Sequence, residues 1–313
     1  MGSVSFLFFV LMSVGVLVSV SSSSWIICWA GIELSFLGMI PLLLFGGYIS
    51  LNKESSLKYF CVQALGSALL FLSGLMVYSG GMLGGYWSIF FGGILVLSLC
   101  IKLGMFPGHF WVPSVLAGLE WVSCFVVLSV QKVPVLALLM NFLGDCVIFQ
   151  SLVLFLGGVS ALVGGLLGNN QTSIRAVVGA SSIAHTGWVS IGAVSGAVWG
   201  YFGIYCGVLG LTFLYLWQSS SFFSSLMLLS LSGLPPFLMF IGKWAVVQGA
   251  LSSYVSVWFL ILPLLGALIS LSFYLKFAYS FYLDSSSEGE SSVWSSVSFS
   301  VFSLFGVIYL FLV

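Results

Sequence analysis

The sequence predicts an all-α integral membrane protein of about eleven transmembrane helices. Three observations carry that prediction. Hydrophobic residues make up 61% of the chain and charged residues 4%, with a mean hydropathy of +1.24. A water-soluble domain needs about 25% charged residues to solvate its surface. The apolar residues also fall in repeated runs of roughly twenty, the length that crosses a hydrocarbon core. Finally, Gly, Pro, Ser and the few charges stand between these runs as punctuation.

The first run, 4–20, has no Lys or Arg before it, unlike the basic start of a cleaved signal peptide, and is expected to be a retained span. Further spans are expected near 25–49, 58–78, 87–106, 121–141, 144–167, 176–195 and 197–217. The seventh and eighth of these divide near Gly196. Three more fall near 223–250, 254–281 and 293–313, so residues 1–313 form a single polytopic membrane domain.

Basic residues set the expected orientation. Lys53 and Lys58 lie in or beside the loop after the second span, Arg175 ends the loop after the sixth, and Lys276 lies near the end of the tenth. These positions share one side of the membrane. The positive-inside rule then puts the amino terminus on the inner, cytoplasm- or matrix-like side and the carboxyl terminus outside.

A faint internal symmetry is also present. The fourth span holds Lys102, followed by Gly104 and Pro107; the ninth holds Gly233-Leu-Pro-Pro236, then Lys243. Both are apolar helices interrupted by helix breakers beside a lysine. Five spans separate them, and an odd offset reverses the direction of the chain. The expectation is two inverted five-helix repeats, near 4–141 and 144–281, with discontinuous helices 4 and 9 and a final helix at 293–313. A proline leaves a carbonyl that lipid cannot satisfy, so such breaks belong inside the protein or beside water.

The ionisable residues within the runs are the chemical signal. Glu33, Lys102, Lys132 and Lys243 all sit in apolar surroundings. Each costs about 2.5–3.5 kcal/mol at a bilayer centre, so four together cost on the order of 10 kcal/mol if uncompensated. They must face a bundle interior, pair, contact water, or snorkel to the headgroups. Snorkelling suits Lys58 and Lys276 better than Lys132 and Lys243. One carboxylate cannot pair with three lysines, and a lysine held between charge states can carry a proton. His109 and His185, the only histidines, can link such lysines or serve as hydrogen-bonded packing residues. Glu120 and Asp145 fall at helix ends, and Glu54, Asp284, Glu288 and Glu290 read as loop charges.

Other functions find no support. Net charge is zero, which argues against nucleic acid as a partner. The cysteines, Cys28, Cys61, Cys100, Cys124, Cys146 and Cys206, form no CxxC pair and read as small hydrophobes. Gly80-Gly-Met-Leu-Gly-Gly85 is a loop and not a dinucleotide fingerprint. No metal or cofactor site is expected in this chain.

Several segments together resemble a known family. Trp29-Ala-Gly-Ile-Glu33-Leu, Lys53-Glu-Ser-Ser-Leu-Lys58-Tyr-Phe and Ile101-Lys102-Leu-Gly-Met-Phe-Pro-Gly-His109-Phe-Trp are similar to subunit 2 of NADH:ubiquinone oxidoreductase, respiratory complex I. So are Gln131-Lys132-Val-Pro134, Ser181-Ser-Ile-Ala-His185-Thr-Gly-Trp188 and Gly233-Leu-Pro-Pro-Phe-Leu-Met-Phe-Ile-Gly-Lys243-Trp244. They occur in the family's order, and the chain looks like the short mitochondrial form. The resemblance implies an antiporter-like fold in the mitochondrial inner membrane and a proton relay of Glu33, Lys102, Lys132, Lys243 and His185. It implies that Glu33 and Lys102 act as a coupled pair and Lys132 as a central lysine. It also implies partners in the other membrane-arm subunits and lipids, with NADH, flavin, iron–sulfur clusters and ubiquinone handled elsewhere. Family members commonly have Phe where this chain has Gly108 and Asn where it has Ser35. Two rivals stand beside this reading. One is a standalone cation/proton antiporter or solute transporter using the same lysines; the other is a structural spacer.

Overall fold

The computed structural model describes residues 3–45, 49–78, 86–144, 147–235 and 237–285. The expected final helix at 293–313, the 80–85 segment, Asp145, Cys146, Glu288 and Glu290 lie outside the described residues. Among those described there are thirteen helices and no strand. Eight stretches are long and apolar enough to cross a membrane, and Trp87–Leu103, Ser221–Ser232 and Leu238–Ser252 are shorter apolar helices.

In the first part of the chain α1 (Ser3–Ser21), α2 (Trp25–Phe45), α3 (Ile49–Tyr78) and α4 (Tyr86–Leu103) are followed by the short α5 (Trp111–Leu116). Next come α6 (Trp121–Leu128), α7 (Lys132–Leu143) and α8 (Val147–Asn169). The remainder is α9 (Ile174–Ser195), α10 (Val198–Trp217), α11 (Ser221–Ser232), α12 (Leu238–Ser252) and α13 (Trp258–Ser285). The chain separates into two compact units, Met1–Leu156 and Gly157–Val313.

In the first unit α1 lies along α2 at close range. A Cβ on Gly31 would stand 2.8 Å from the Gly15 carbonyl oxygen and 2.6 Å from the Ser19 nitrogen, so small residues set the approach. The outer face of α1 stays greasy, with Phe6 and Leu17 exposed, and only 17% of its apolar window is buried. Such a surface requires lipid or protein against it. In the second unit α9 is the enclosed helix, with 89% of its window buried, and it carries His185. Gly187 of α9 packs on Gly157 and Ser160 of α8, again at distances a side chain would block.

The structure moves several boundaries. The division near Gly196 is real: Gly196 ends α9 at φ 81°, a left-handed cap, and α10 begins at Val198. Lys53 and Glu54 are not in a loop but in the first turns of α3, where Glu54 pairs with Lys58 at 2.6 Å in an exposed i,i+4 bridge. Asp284 lies within the last turn of α13 instead of a loop, and Lys276 lies further inside that helix, exposed.

The expected fifth span is not one continuous helix. It divides at Ser129–Gln131 into α6 and α7, which makes Lys132 the first residue after a break and not a mid-helix residue. Pro134 explains the interruption. The Val130 carbonyl would receive the N–H of residue 134, which proline lacks. Val133 donates to it instead at 3.3 Å, a tighter turn, and the Gln131 N–H reaches back to Val126 at 3.1 Å.

Candidate functional site

Three buried or part-buried lysines each stand at a helix break, and prolines stand at each break. Lys102 occupies the last turn of α4. The helix stops there because Gly104 is left-handed at φ 72° and Pro107, joined to Phe106 by a cis peptide bond, cannot serve the Leu103 carbonyl. Side chains also bond the carbonyls of this last turn. The Trp111 indole donates to Ile101 O at 3.0 Å, and Gln63 Nε2 donates to Lys102 O at 3.3 Å.

The ammonium of Lys102 donates to Glu33 Oε1 at 3.1 Å, with the two side chains 1% and 22% exposed. This ion pair links α2 to α4 inside the first unit. Lys102 and Lys132 also line one small cavity of about 10 Å³, together with Tyr59, Gln63 and Gln131. That space is on the scale of a single water molecule. Lys132 is itself buried, 3% exposed. Gln131 anchors the α6–α7 break to α2: its Nε2 donates to Ser35 O at 3.3 Å, and its Oε1 lies 3.5 Å from Ser35 Oγ.

His109 is buried in the turn after α4, between Phe106 at 5.9 Å and Phe110 at 4.0 Å. Gly108 suits that turn, since a Cβ there would stand 2.7 Å from the Ile101 Cα. His109 is therefore held by aromatic packing.

In the second unit Lys243 belongs to α12 and reaches back across the break. Its Nζ donates to the Ser232 carbonyl at 2.7 Å. That carbonyl is stranded by sequence: residues 235 and 236, which would supply helical N–H donors to it, are both proline. A lysine amine thus does the work of the missing backbone donor. The same amine lies 5.9 Å from the centre of the Trp188 ring, within cation–π range. An apolar cavity of about 360 Å³ adjoins it, walled by Trp188, Phe240, Trp244 and residues of α13. Among the described residues, Lys243 forms no ion pair.

Gly233 makes this arrangement possible. It sits at φ 76°, and a Cβ there would fall 2.8 Å from Lys243 Nζ. Gly233→Ala is expected to destabilise the second unit by about 1–3 kcal/mol, through left-handed strain and displacement of the amine. Thermal inactivation of the purified protein in detergent measures this; an unchanged midpoint contradicts it.

His185 is buried in α9, one turn before Trp188. Its Nδ1 lies 2.8 Å from the Tyr201 hydroxyl and its Nε2 3.3 Å from that of Tyr274. The Tyr205 ring packs on the imidazole at 4.9 Å, while its buried hydroxyl has no hydrogen-bond partner among the described residues.

The structure therefore brings Glu33, Lys102 and Lys132 together in the first unit, and places His185 and Lys243 around Trp188 in the second. Sequence reasoning missed Gln63, Tyr59, Tyr201 and Tyr274. Gln63, an amide inside an apolar run, was the one with a usable signal.

Residues 22–224 match the family described as NADH:quinone oxidoreductase/Mrp antiporter, TM. The chain is 36% identical over 276 residues to NADH-ubiquinone oxidoreductase chain 2 of Albinaria caerulea, covering 86% of each. It is 38% identical over 303 residues to the protein of the same name in Branchiostoma floridae, covering 88% of this chain and 85% of that one. Among solved structures, a chain of respiratory complex I from Thermus thermophilus shares the fold at a TM-score of 0.82 and 21% identity, over 97% of this chain and 78% of that one. A chain of the Mrp complex from Dietzia sp. shares it at 0.77 and 14% identity, over 91% and 61%.

Proposed function

The chain belongs to the NADH-ubiquinone oxidoreductase chain 2 family, and from that premise we propose that it moves protons through the membrane arm of respiratory complex I. Other subunits carry the electrons from NADH through flavin and iron–sulfur clusters to ubiquinone. The chain sits in the mitochondrial inner membrane as a multi-pass protein, against other membrane-arm subunits and lipid. Eleven spans, in two inverted five-helix repeats and a final helix, with the amino terminus on the matrix side, complete this reading.

One observation carries the proposal: a Glu33–Lys102 ion pair in an apolar bundle, with Lys132 on the same water-sized cavity. A buried ion pair is weak support for stability, because desolvation offsets its attraction. Its use lies in switching. When Glu33 holds Lys102 charged, the proton stays; when the pair opens, the desolvated amine releases it. Lys132 takes the proton laterally across the cavity. His185 links onward, and Lys243 exchanges with the far half-channel. The family relationship does not favour a standalone antiporter.

Lys132→Leu tests the proposal. In intact complex reconstituted into vesicles, NADH-driven proton pumping is expected to fall about tenfold, or ~1.4 kcal/mol in the barrier, with assembly retained. Full pumping counts against the relay. Loss of assembly alone supports the structural-spacer reading.

A further inference from the structure

We propose that the hydroxyls of Tyr201 and Tyr274 are themselves members of the proton path, bracketing His185 as a Tyr–His–Tyr wire. The inference rests on the reading of His185 as a relay residue and extends it to groups that reading does not use.

The geometry is specific. Both ring nitrogens of a buried imidazole face phenol oxygens, at 2.8 Å on the Nδ1 side and 3.3 Å on the Nε2 side. All three side chains are buried, at 3%, 1% and 1% exposure. A neutral imidazole has one N–H and one bare nitrogen, so one tyrosine donates to the ring while the other accepts from it. The three groups thus form a directional chain that exists in two senses, one for each tautomer. The Tyr274 end has a hydroxyl neighbour. Tyr274 lies beside the Ser181 hydroxyl. At the other end the Tyr201 ring packs on α12 at Gly242, where a Cβ would stand 3.1 Å from Tyr201 Cδ2.

A proton crosses this chain without leaving charge on it. With Nε2 protonated, Tyr201 donates to Nδ1 and Nε2–H donates to Tyr274. A proton arriving at the Tyr201 oxygen lets Tyr201 pass its own to Nδ1. Nε2 then passes its proton to Tyr274, which releases one on the Ser181 side. Each oxygen has gained one proton and lost one, the ring has changed tautomer, and no phenolate has formed. Reversal of the hydroxyls and the tautomer resets the wire.

Tyr205 supplies the internal control. It packs against the same imidazole, yet its hydroxyl has no hydrogen-bond partner among the described residues. Tyr201→Phe, Tyr274→Phe, Tyr205→Phe and His185→Gln are made in the intact complex, and NADH-driven proton uptake into vesicles is normalised to assembled complex. Tyr201→Phe and Tyr274→Phe are each expected to reduce pumping roughly threefold or more, because a chain in series fails at either link, and Tyr205→Phe not at all. Three equal effects, or losses that only track the amount of assembled complex, mean a packing role and overturn the wire. If His185→Gln impairs pumping while both Tyr201→Phe and Tyr274→Phe pump normally, this inference alone fails. If His185→Gln also pumps normally, the relay reading of His185 fails with it.

Discussion

Lys102→Met is expected to weaken the assembled protein more than the double change Glu33→Gln with Lys102→Met. The single substitution leaves Glu33 in an apolar bundle without the ammonium 3.1 Å away. Removing one partner of a buried pair costs about 3–5 kcal/mol, because the other charge stays buried and uncompensated. Glu33→Gln alone strands the Lys102 ammonium, whose side chain is 1% exposed, and belongs in the same range. Replacing both partners removes both desolvation costs, so the double variant should recover most of the loss. Thermal inactivation rates of the four proteins complete the cycle. Additive losses would mean that the two residues do not act as a pair.

Lys243 separates scaffold from proton carrier in another way. Among the described residues Lys243 is the only side-chain donor to the Ser232 carbonyl, so Lys243→Met strands a buried acceptor at about 1–3 kcal/mol. It also removes the proposed proton carrier, so pumping is expected to fall about tenfold, ~1.4 kcal/mol in the barrier. Lys243→Arg keeps charge and donors but cannot release its proton, since arginine stays protonated in proteins. The Arg variant should therefore assemble with the break intact and still pump poorly. Arg pumping at the rate of Lys would show that the site needs only a fixed charge.

How much of this was legible depended on the kind of signal. The break at Gly233 was readable because two prolines and a glycine interrupt an apolar run, and the structure ends α11 there. The division at Gly196 was readable for a similar reason. The break at Ser129–Gln131 was masked: Pro134 stands inside a run apolar on both sides, and a proline in the first turn after a break resembles one that kinks a continuous helix. The early start of α3 was hidden because Lys53 and Glu54 read as loop residues and Lys58 as the edge of the span, whereas an exposed i,i+4 pair extends a helix beyond its apolar core.

The site shows the same contrast. Glu33, Lys102, Lys132 and Lys243 announced themselves because charge in an apolar run is costly. Tyr201 and Tyr274 did not, since tyrosine is at home in such runs and its sequence position does not reveal where the hydroxyl points. Their meaning came from tertiary contact: α10 and α13 deliver two phenols to opposite nitrogens of one imidazole. Gln63 was intermediate, visible as a polar residue but unassigned until its amide was found on the Lys102 carbonyl.

Side chains inside this chain, not only those of its neighbours, are held here to carry protons. Counting protons moved per NADH oxidised in sealed vesicles tests that most directly, using complex assembled with the Glu33→Gln, Lys102→Met chain. A ratio clearly below wild type, at normal assembly and with NADH oxidation continuing, is the predicted result. An unchanged ratio would contradict the account, and would leave the ion pair as nothing more than a fastening between two helices.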